Sequence, residues 1–464
     1  MHNWLPDITT VPGPKYLAIA EALVHDIRSG ALPAGTRLPP QRILANGIGV
    51  DLTTVTRAYN EVRRRGLIEG EGRRGSFVRQ PPPEAARAVE PATAGKEAAD
   101  VDMVGPPDLP GNLLAIEYRA ALDTLLARGE RPFHYQPSGR MTFAREAGAD
   151  LLSARGIPRQ DDTIVIAAGC QHGLHAIISA EFKPGDRLAV GAFVYPGLLA
   201  LARRHGLKLV VIDADHEGLD ADSLDAACTR ERVRGLYVIP TNDNPTTATL
   251  GLERRRALAE VARRHGLIVI EDDAYGLLPA APLPPLAAFA PERTWHITSA
   301  SKVLAPGLRV AWLRAPDVAK AWRLAADMYE TAVMAPPLNA AVIAEWLGTG
   351  VFQRLIDAVR AEAQHRQSLA RACLAEGCFR VQPEGYHLWM PLPAEASAND
   401  IANALRPHGL PIVAGDVFAV DRAGAAPALR VSIGNAISRE RLVRCLRLLG
   451  ALTGPEATRK IPLV

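Results

Sequence analysis

The chain has 464 residues, of which 48% are hydrophobic and 22% charged, so it is long enough to bury several cores. Its net charge of +3 is too small for a polycation or a membrane-surface binder, so any basic patch must be local. The five cysteines form no CxxC pair, which favours reduced thiols over a disulfide framework and predicts a cytoplasmic protein. The sequence predicts neither a signal peptide nor a membrane span.

The first 80 residues are locally basic, with eleven Lys or Arg against seven Asp or Glu. Apolar residues at helical spacing predict a first helix that ends at Gly30: Ile19, Leu23 and Ile27. A Pro/Gly turn and a short helix around 41–46 follow. The segment DLTTVTRAYNEVRRRG then predicts an amphipathic helix with one apolar face: Val55, Tyr59 and Val62. This order of elements is typical of a helix-turn-helix with a recognition helix.

The next segment, LIEGEGRRGSFVRQ, predicts a hairpin wing with a Gly/Arg tip that reaches toward phosphates. From Lys15 to Val78 the chain resembles the winged helix-turn-helix of GntR-type regulators. The resemblance and the polar helix face together imply contacts with double-stranded operator DNA from Arg42, Thr53, Thr54, Thr56, Arg57, Arg73 and Arg74. Leu52 stands where many members of that family have a polar or basic residue, which leaves the set of base-reading residues open.

A composition shift divides the chain. Residues 81–105 are rich in Pro, Ala and charge and lack a sustained apolar period, which predicts a linker. We therefore expect a DNA-binding domain over 1–80 and a second domain over 106–464. In the second domain, apolar runs such as TIVIAAG, GLYVIP and LIVIEDD alternate with helical stretches. This alternation predicts an α/β fold with a mostly parallel sheet covered by helices on both faces.

Polar clusters follow these strand-like runs, and active sites of such sheets gather at the carboxyl ends of the strands. Backbone amides at Cys170 and Gln171 open a predicted helix, where they can hold a phosphate. Ser299 and Arg309 flank Lys302 in the loop TSASKVLAPGLRVAW and can complete the phosphate cradle.

A second group of side chains suits an aromatic ring. A carboxylate at Asp272 can stabilise a protonated ring nitrogen, while Tyr275 and Asn244 can contact a ring oxygen and Tyr195 can stack. Together with Lys302 these are the parts needed for a Schiff base with pyridoxal 5'-phosphate. Singly, each residue also has a structural explanation, such as a surface lysine or a strand-end cap. His172 and His175 are spaced as a metal pair, but no third ligand is evident, so we expect no metal.

The segments SASKVLAPGLRVAW, VIEDDAY and LRVSIGNA make residues 106–464 similar to the class I/II, fold-type I aminotransferases. A GntR head joined to such a body resembles the MocR subfamily of regulators. The resemblance implies that Lys302 forms the Schiff base and that a smaller C-terminal α+β subdomain completes the fold. It also implies that Arg430 binds a substrate or effector carboxylate, and that Tyr135 reaches the site of a neighbouring subunit in a homodimer.

Two departures bear on the ligand: Thr247 replaces the glycine of the usual NPTG, and Cys170 stands where a small hydroxyl residue is commoner. The main hypothesis is a transcription regulator that senses an amino compound through aldimine exchange at Lys302. The alternative is an aminotransferase with an appended DNA-binding domain, and a third possibility is that pyridoxal phosphate itself is the signal. The sequence leaves open the effector, the operator and the sign of regulation.

Overall fold

The computed structural model describes residues 4–6, 14–29, 31–33, 35–64, 67–70, 75–78, 103–129, 133–136 and 141–454. The chain divides into two compact units, Met1–Lys96 and Glu97–Val464. Most of the predicted linker lies outside the described residues. Its last three residues, 103–105, are described within the larger unit.

The described residues of the smaller unit form three helices, α1 (Lys15–Ser29), α2 (Gln41–Ile48) and α3 (Leu52–Arg64). The apolar stripes predicted from the sequence form its core, in which Ile19, Leu23, Val55, Tyr59 and Val62 are all buried. Gly49 ends α2 in the left-handed conformation that suits glycine, with a φ of 66°. The Tyr59 hydroxyl donates to the Pro39 carbonyl at 2.9 Å and ties α3 to the turn before α2.

A two-stranded antiparallel hairpin follows, formed by β1 (Ile68–Gly70) and β2 (Ser76–Val78) with Ile68 opposite Val78. Arg37 adds a bridge to Phe77 on the other side. This arrangement confirms a winged helix-turn-helix. Arg73 and Arg74 at the predicted tip lie outside the described residues.

The larger unit is built on a seven-stranded sheet in the order β3-β9-β8-β7-β6-β4-β5. Its strands are β3 (Ile164–Ala167), β4 (Arg187–Val190), β5 (Lys208–Val211), β6 (Val233–Val238), β7 (Ile268–Asp272), β8 (Thr294–Ser299) and β9 (Ala311–Arg314). The pairs within β5-β4-β6-β7-β8 are parallel, and only β9 runs antiparallel to both of its neighbours, β8 and β3. Six strands therefore point the same way, as the sequence predicts.

Both faces of this sheet are largely buried except at the edge strand β5, which explains the continuous apolar runs of the other strands. Ile164 and Ile166 of β3 belong to one core cluster, and the alternate residues Val165 and Ala167 belong to another. The helices of this part of the unit are α4 (Leu113–Ala127), α5 (Thr142–Ser153), α6 (Cys170–Glu181), α7 (Pro196–His205), α8 (Ala221–Arg230), α9 (Leu252–His265), α10 (Leu286–Phe289), α11 (Val318–Ala332), α12 (Pro337–Thr349) and α13 (Val351–Cys373).

A smaller α+β region ends the described chain. Three antiparallel strands in the order β10-β12-β11 pack with two helices, with the bounds β10 (His387–Pro391), α14 (Ala398–Leu405), β11 (Ile412–Ala414), β12 (Ala428–Ser432) and α15 (Arg439–Thr453). None of the helices in the described part of the chain combines the length and apolar character needed to cross a membrane.

Candidate cofactor and effector site

The predicted site residues of the larger unit, apart from Tyr135, meet at one edge of the main sheet. β7 ends at Asp272, β8 ends at Ser299, and the chain leaves β3 into Gly169 and the N-terminus of α6. Because these strands point the same way, their carboxyl ends share an edge. Lys302 follows three residues after Ser299, so the short loop that leaves β8 carries the lysine to this edge.

One side of the site is a cradle for an anion. Gly169 precedes α6 with a φ of 90°, and a Cβ built on it would lie 2.5 Å from Nη2 of Arg309. That nitrogen donates to the carbonyl of Ala168 at 2.9 Å. The first amides of α6, at Cys170 and Gln171, have no partner within a helix and favour an anion there. Burial, followed by the charge of Asp272, raises the pKa of the Cys170 thiol to about 12, so the thiol stays protonated.

The opposite side suits a ring with a basic nitrogen. Oδ2 of the buried Asp272 accepts a hydrogen bond from the Tyr237 hydroxyl at 2.9 Å, and burial raises the pKa of Asp272 to about 6. Asn244 lies across the site, where its Oδ1 accepts from Nη1 of Arg430 at 3.3 Å. The guanidinium of Arg430 also lies 4.9 Å above the ring of Phe418. Arg430 is therefore held in place by two neighbours before any ligand binds.

Lys302 lies between these two sides. Withdrawal from water, followed by the positive charge of Arg430, lowers the pKa of its amine to about 8. Its Nζ donates to the backbone carbonyl of Val104 at 2.5 Å, and its own carbonyl accepts from the Tyr386 hydroxyl at 2.5 Å. A lysine with a lowered pKa is neutral more often at physiological pH and is then a better nucleophile.

Three buried polar atoms of the site are left for a ligand. Among the described residues, Oδ1 of Asp272, the hydroxyl of Tyr275 and Oγ of Ser299 have no hydrogen-bond partner. Buried polar groups are nearly always paired, so such a cluster indicates a bound group. An anion cradle, a carboxylate oxygen and a phenol hydroxyl around an amine fit the phosphate, the ring nitrogen and the ring oxygen of pyridoxal phosphate.

Tyr195 and Tyr135 differ in their relation to the site. Tyr195 immediately precedes α7, and burial, followed by the charge of Asp272, raises its pKa to about 12. Tyr135 is 80% exposed on the larger unit, and the amide of the next residue, Gln136, donates to Sδ of Met334 at 3.2 Å. Its role in a neighbouring subunit stays a prediction.

Several residues of the site escaped the sequence analysis. Tyr237 contacts Asp272, and Tyr386 and Val104 contact Lys302. The segment of Tyr237 predicts only a strand and that of Val104 only a linker, and no pattern indicated Tyr386. Asp273 forms a second buried group, in which its carboxylate pairs with Arg155 and lies 3.2 Å from Nε2 of His296. Burial opposes ionisation of Asp273, but the charges of Arg155 and His296 prevail and lower its pKa.

The histidines of α6 have partners within the chain. Nδ1 of His172 accepts from the amide of Ala168 at 3.3 Å, and its Nε2 lies 3.0 Å from Oγ1 of Thr331. The His175 ring lies 5.2 Å from the ring of His205. Within the described ranges, no group of three or more His, Cys, Asp or Glu side chains is arranged around a metal position.

On the smaller unit, the predicted DNA-contacting residues fall into two groups. Arg42 and Thr53 are exposed and Thr54 is half-buried. Thr56 bonds through its hydroxyl with Oε1 of Gln41 at 2.8 Å, which links α3 to the start of α2. The guanidinium of Arg57 lies 4.4 Å above the ring of Tyr16. Thr56 and Arg57 therefore support the helix packing, whatever else they contact.

The fold and the lysine site together define a pyridoxal phosphate-binding domain of fold type I. The chain belongs to the aminotransferase class I and II family, which matches residues 106–448. Residues 15–78 match the bacterial regulatory proteins of the gntR family. The protein is thus a GntR-type regulator fused to an aminotransferase-like domain, which is the architecture of the MocR regulators.

Similar proteins carry both halves. An uncharacterised HTH-type transcriptional regulator of Bacillus subtilis strain 168, YdeF, is 31% identical over 97% of this chain and 96% of its own. The HTH-type transcriptional regulator TauR of Rhodobacter capsulatus is 28% identical over 93% of this chain and 96% of its own.

Among solved structures, the α-aminoadipate aminotransferase LysN from Thermus thermophilus matches with a TM-score of 0.67 and 27% identity. The match covers 75% of this chain and 90% of that one, which was crystallised with N-(5'-phosphopyridoxyl)-L-leucine. Family, fold and the buried polar atoms agree on pyridoxal 5'-phosphate as the cofactor.

Proposed function

We propose that the protein regulates transcription by sensing a primary amino compound, or pyridoxal phosphate itself, at Lys302. The observation that supports this most strongly is a buried lysine among unpaired polar groups that fit pyridoxal phosphate, in the same chain as a winged helix-turn-helix. A ligand shifts a protein between two states only by its different affinity for them. The larger unit supplies a chemically selective ligand site, and the smaller unit supplies a DNA reader.

The cofactor supplies an aldehyde that condenses with a primary amine, either that of Lys302 or that of a ligand. Asp272 would hold the ring nitrogen in its protonated form through Oδ1, since the Tyr237 hydroxyl already bonds to the other oxygen of the same carboxylate. Arg309, Ser299 and the first amides of α6 would bind the phosphate. Tyr275 and Asn244 would contact the ring oxygen, and Tyr195 would cover the ring.

Arg430 selects the ligand in this proposal. Its guanidinium presents several donors in one plane, which suits the two oxygens of a carboxylate. Because Asn244 and Phe418 already hold it, little ordering is needed when a carboxylate binds. We therefore expect amino acids to bind better than amines of the same size that lack a carboxylate.

The proposal includes a homodimer. Dimeric helix-turn-helix proteins bind two DNA half-sites at a fixed spacing. In a homodimer, a ligand can therefore act by changing the relative placement of the two DNA-binding units. Tyr135, exposed in a single copy of the chain, is the residue we expect to enter the neighbouring site. Sedimentation of the full-length protein should give twice the chain mass.

Lys302→Ala tests the site directly. We expect purified wild type loaded with pyridoxal phosphate to be yellow, because Lys302 bonds to the cofactor, and the variant to lack that absorbance band. Lys183→Ala is the matched control, since Lys183 is an exposed lysine of the same unit. A band that is the same in all three proteins rejects Lys302 as the residue that bonds the cofactor.

The second candidate function is amino acid transamination, which the complete site and the LysN similarity favour. A freed Lys302 is placed to move a proton to or from the ligand, so a slow half-reaction is expected even in a regulator. Turnover at about 1 per second or faster is typical of an enzyme. Such turnover, without any effect of the substrates on DNA binding, would replace the regulator proposal by this one.

A further inference from the structure

The bond between Lys302 and Val104 connects the cofactor site to the segment that leaves the linker. Val104 is 2% exposed, and its carbonyl is the acceptor for Nζ at 2.5 Å. Lys302 lies almost two hundred residues further along the chain, so this contact exists only because the fold brings residues 103–106 across the site. We call these four residues the latch segment.

The latch segment is fixed by one further residue, Asn435. The Asn435 amide donates to the carbonyls of Gly105 at 3.0 Å and Pro106 at 3.2 Å, and its Nδ2 donates to the Met103 carbonyl at 2.8 Å. The segment around Gly434 approaches the latch segment so closely that a Cβ on Gly434 would collide with the carbonyl oxygen of Gly105. Asn435 therefore bonds to three of the four residues of the latch segment.

The same stretch of chain carries Arg430. Arg430 belongs to β12, which ends at Ser432, two residues before Gly434. Nη1 of Arg366 donates to the carbonyls of Ile433 at 3.0 Å and Gly434 at 3.2 Å, which holds the chain beyond β12 in place. Arg430, which we propose binds a carboxylate, thus lies in β12. Asn435, which holds the latch segment, lies in the chain that continues from this strand.

We propose that the Val104 carbonyl is a positioning group for Lys302, and that the latch segment transmits the bonding state of this lysine to the linker. The inference rests on the proposed function. When Lys302 condenses with the cofactor aldehyde, one C=N bond forms and the two hydrogens of the neutral amine leave with the aldehyde oxygen as water. When a ligand amine takes over that C=N bond, its two hydrogens pass to Lys302, which is released as a free amine.

A free Lys302 amine can donate to the Val104 carbonyl. A lysine nitrogen held in a C=N bond is oriented by the cofactor and no longer donates to that carbonyl. The Val104 carbonyl is buried, so loss of its only donor among the described residues leaves it unpaired and favours movement of the segment. Residues 79–103 are all that separate Val104 in sequence from Val78, the end of β2. Ligand binding at Lys302 thereby restores the bond that holds Val104 on the larger unit.

Hydrogen exchange at the Asn435 amide tests this in the full-length protein. Three states are compared: protein stripped of cofactor, protein loaded with pyridoxal phosphate, and loaded protein treated with hydroxylamine, whose amine bonds aldehydes stably and frees Lys302. We expect slow exchange in the first and third states and exchange at least about tenfold faster in the loaded protein. Visible absorbance in the same samples reports whether Lys302 is bonded.

Asn435→Ala removes the side-chain bond to Met103 without touching Lys302. Its absorbance should still respond to loading and to hydroxylamine, while exchange in residues 433–438 becomes fast in all three states. Equal exchange in all three states of the wild type, with a normal absorbance response, overturns the latch proposal and leaves the proposed function intact. If the wild type shows no absorbance response, both proposals fail.

Discussion

Thr247 occupies a backbone position that suits glycine. Its φ is 64°, and a β-branched side chain in this region is a genuine outlier. The left-handed conformation costs roughly 1–2 kcal/mol for an L-residue, and glycine gives back roughly 0.5–1 kcal/mol through its freer unfolded chain. We expect Thr247→Gly to stabilise the larger unit by about 0.5–1 kcal/mol, seen as a higher Tm. Thr247→Ala keeps the Cβ and should give a smaller gain, and a lower Tm for the glycine variant would contradict this assignment.

Lys302 should make cofactor incorporation depend on pH. Burial and Arg430 lower its pKa to about 8, and only the neutral amine attacks an aldehyde. The rate of absorbance growth after pyridoxal phosphate is added to stripped protein should therefore rise with pH and level off above about 8. Arg430→Gln removes one cause of the lowered pKa, so its curve should move to higher pH. A wild-type rate that still climbs beyond about pH 10 would mean that the amine keeps the ordinary pKa of a lysine.

At the scale of elements, the start of α6 is a sharp test of the anion cradle. Gly169→Ala places a methyl group 2.5 Å from the Arg309 guanidinium and should displace it. Loss of a charged hydrogen bond then weakens pyridoxal phosphate binding by about tenfold or more. Gly185→Ala is the matched control, because Gly185 also has a φ of 90° but a Cβ there meets nothing within 4 Å. Equal cofactor affinity in the two variants, measured by absorbance titration, would contradict the cradle.

The elements themselves were largely predictable from the sequence. Apolar runs that end in polar residues placed Asp272 at a strand end and Ser299 in a loop after another strand, and their order implied a shared sheet edge. The sequence could not show that Tyr237 meets Asp272, because alternation in a strand buried on both faces does not say which face a tyrosine takes. It also predicted a linker up to residue 105, although Val104 is buried against Lys302. Contacts between residues so far apart in sequence depend on the assembled fold, and no local pattern encodes them.

In the whole molecule, the proposed function joins a DNA-binding unit and a ligand site through the chain between them. The described residues give the geometry of each unit, and we propose that the latch segment connects the state of Lys302 to the linker. Coupling between two sites is reciprocal in binding free energy and typically amounts to about 1–3 kcal/mol. DNA bound to the smaller unit should therefore change the affinity of the larger unit for its amino ligand by the same factor.

The most direct measurement is the affinity of the full-length, cofactor-loaded protein for a labelled duplex that it has itself selected from a random-sequence library. Anisotropy titrations are made with each member of a panel of amino acids and amines, with absorbance recorded in parallel. We expect a compound that changes the absorbance to change the DNA Kd as well, by about 5- to 150-fold in the wild type, and to have no effect on Lys302→Ala. The proposed function is contradicted if every compound of the panel that fully displaces Lys302 leaves the DNA Kd unchanged.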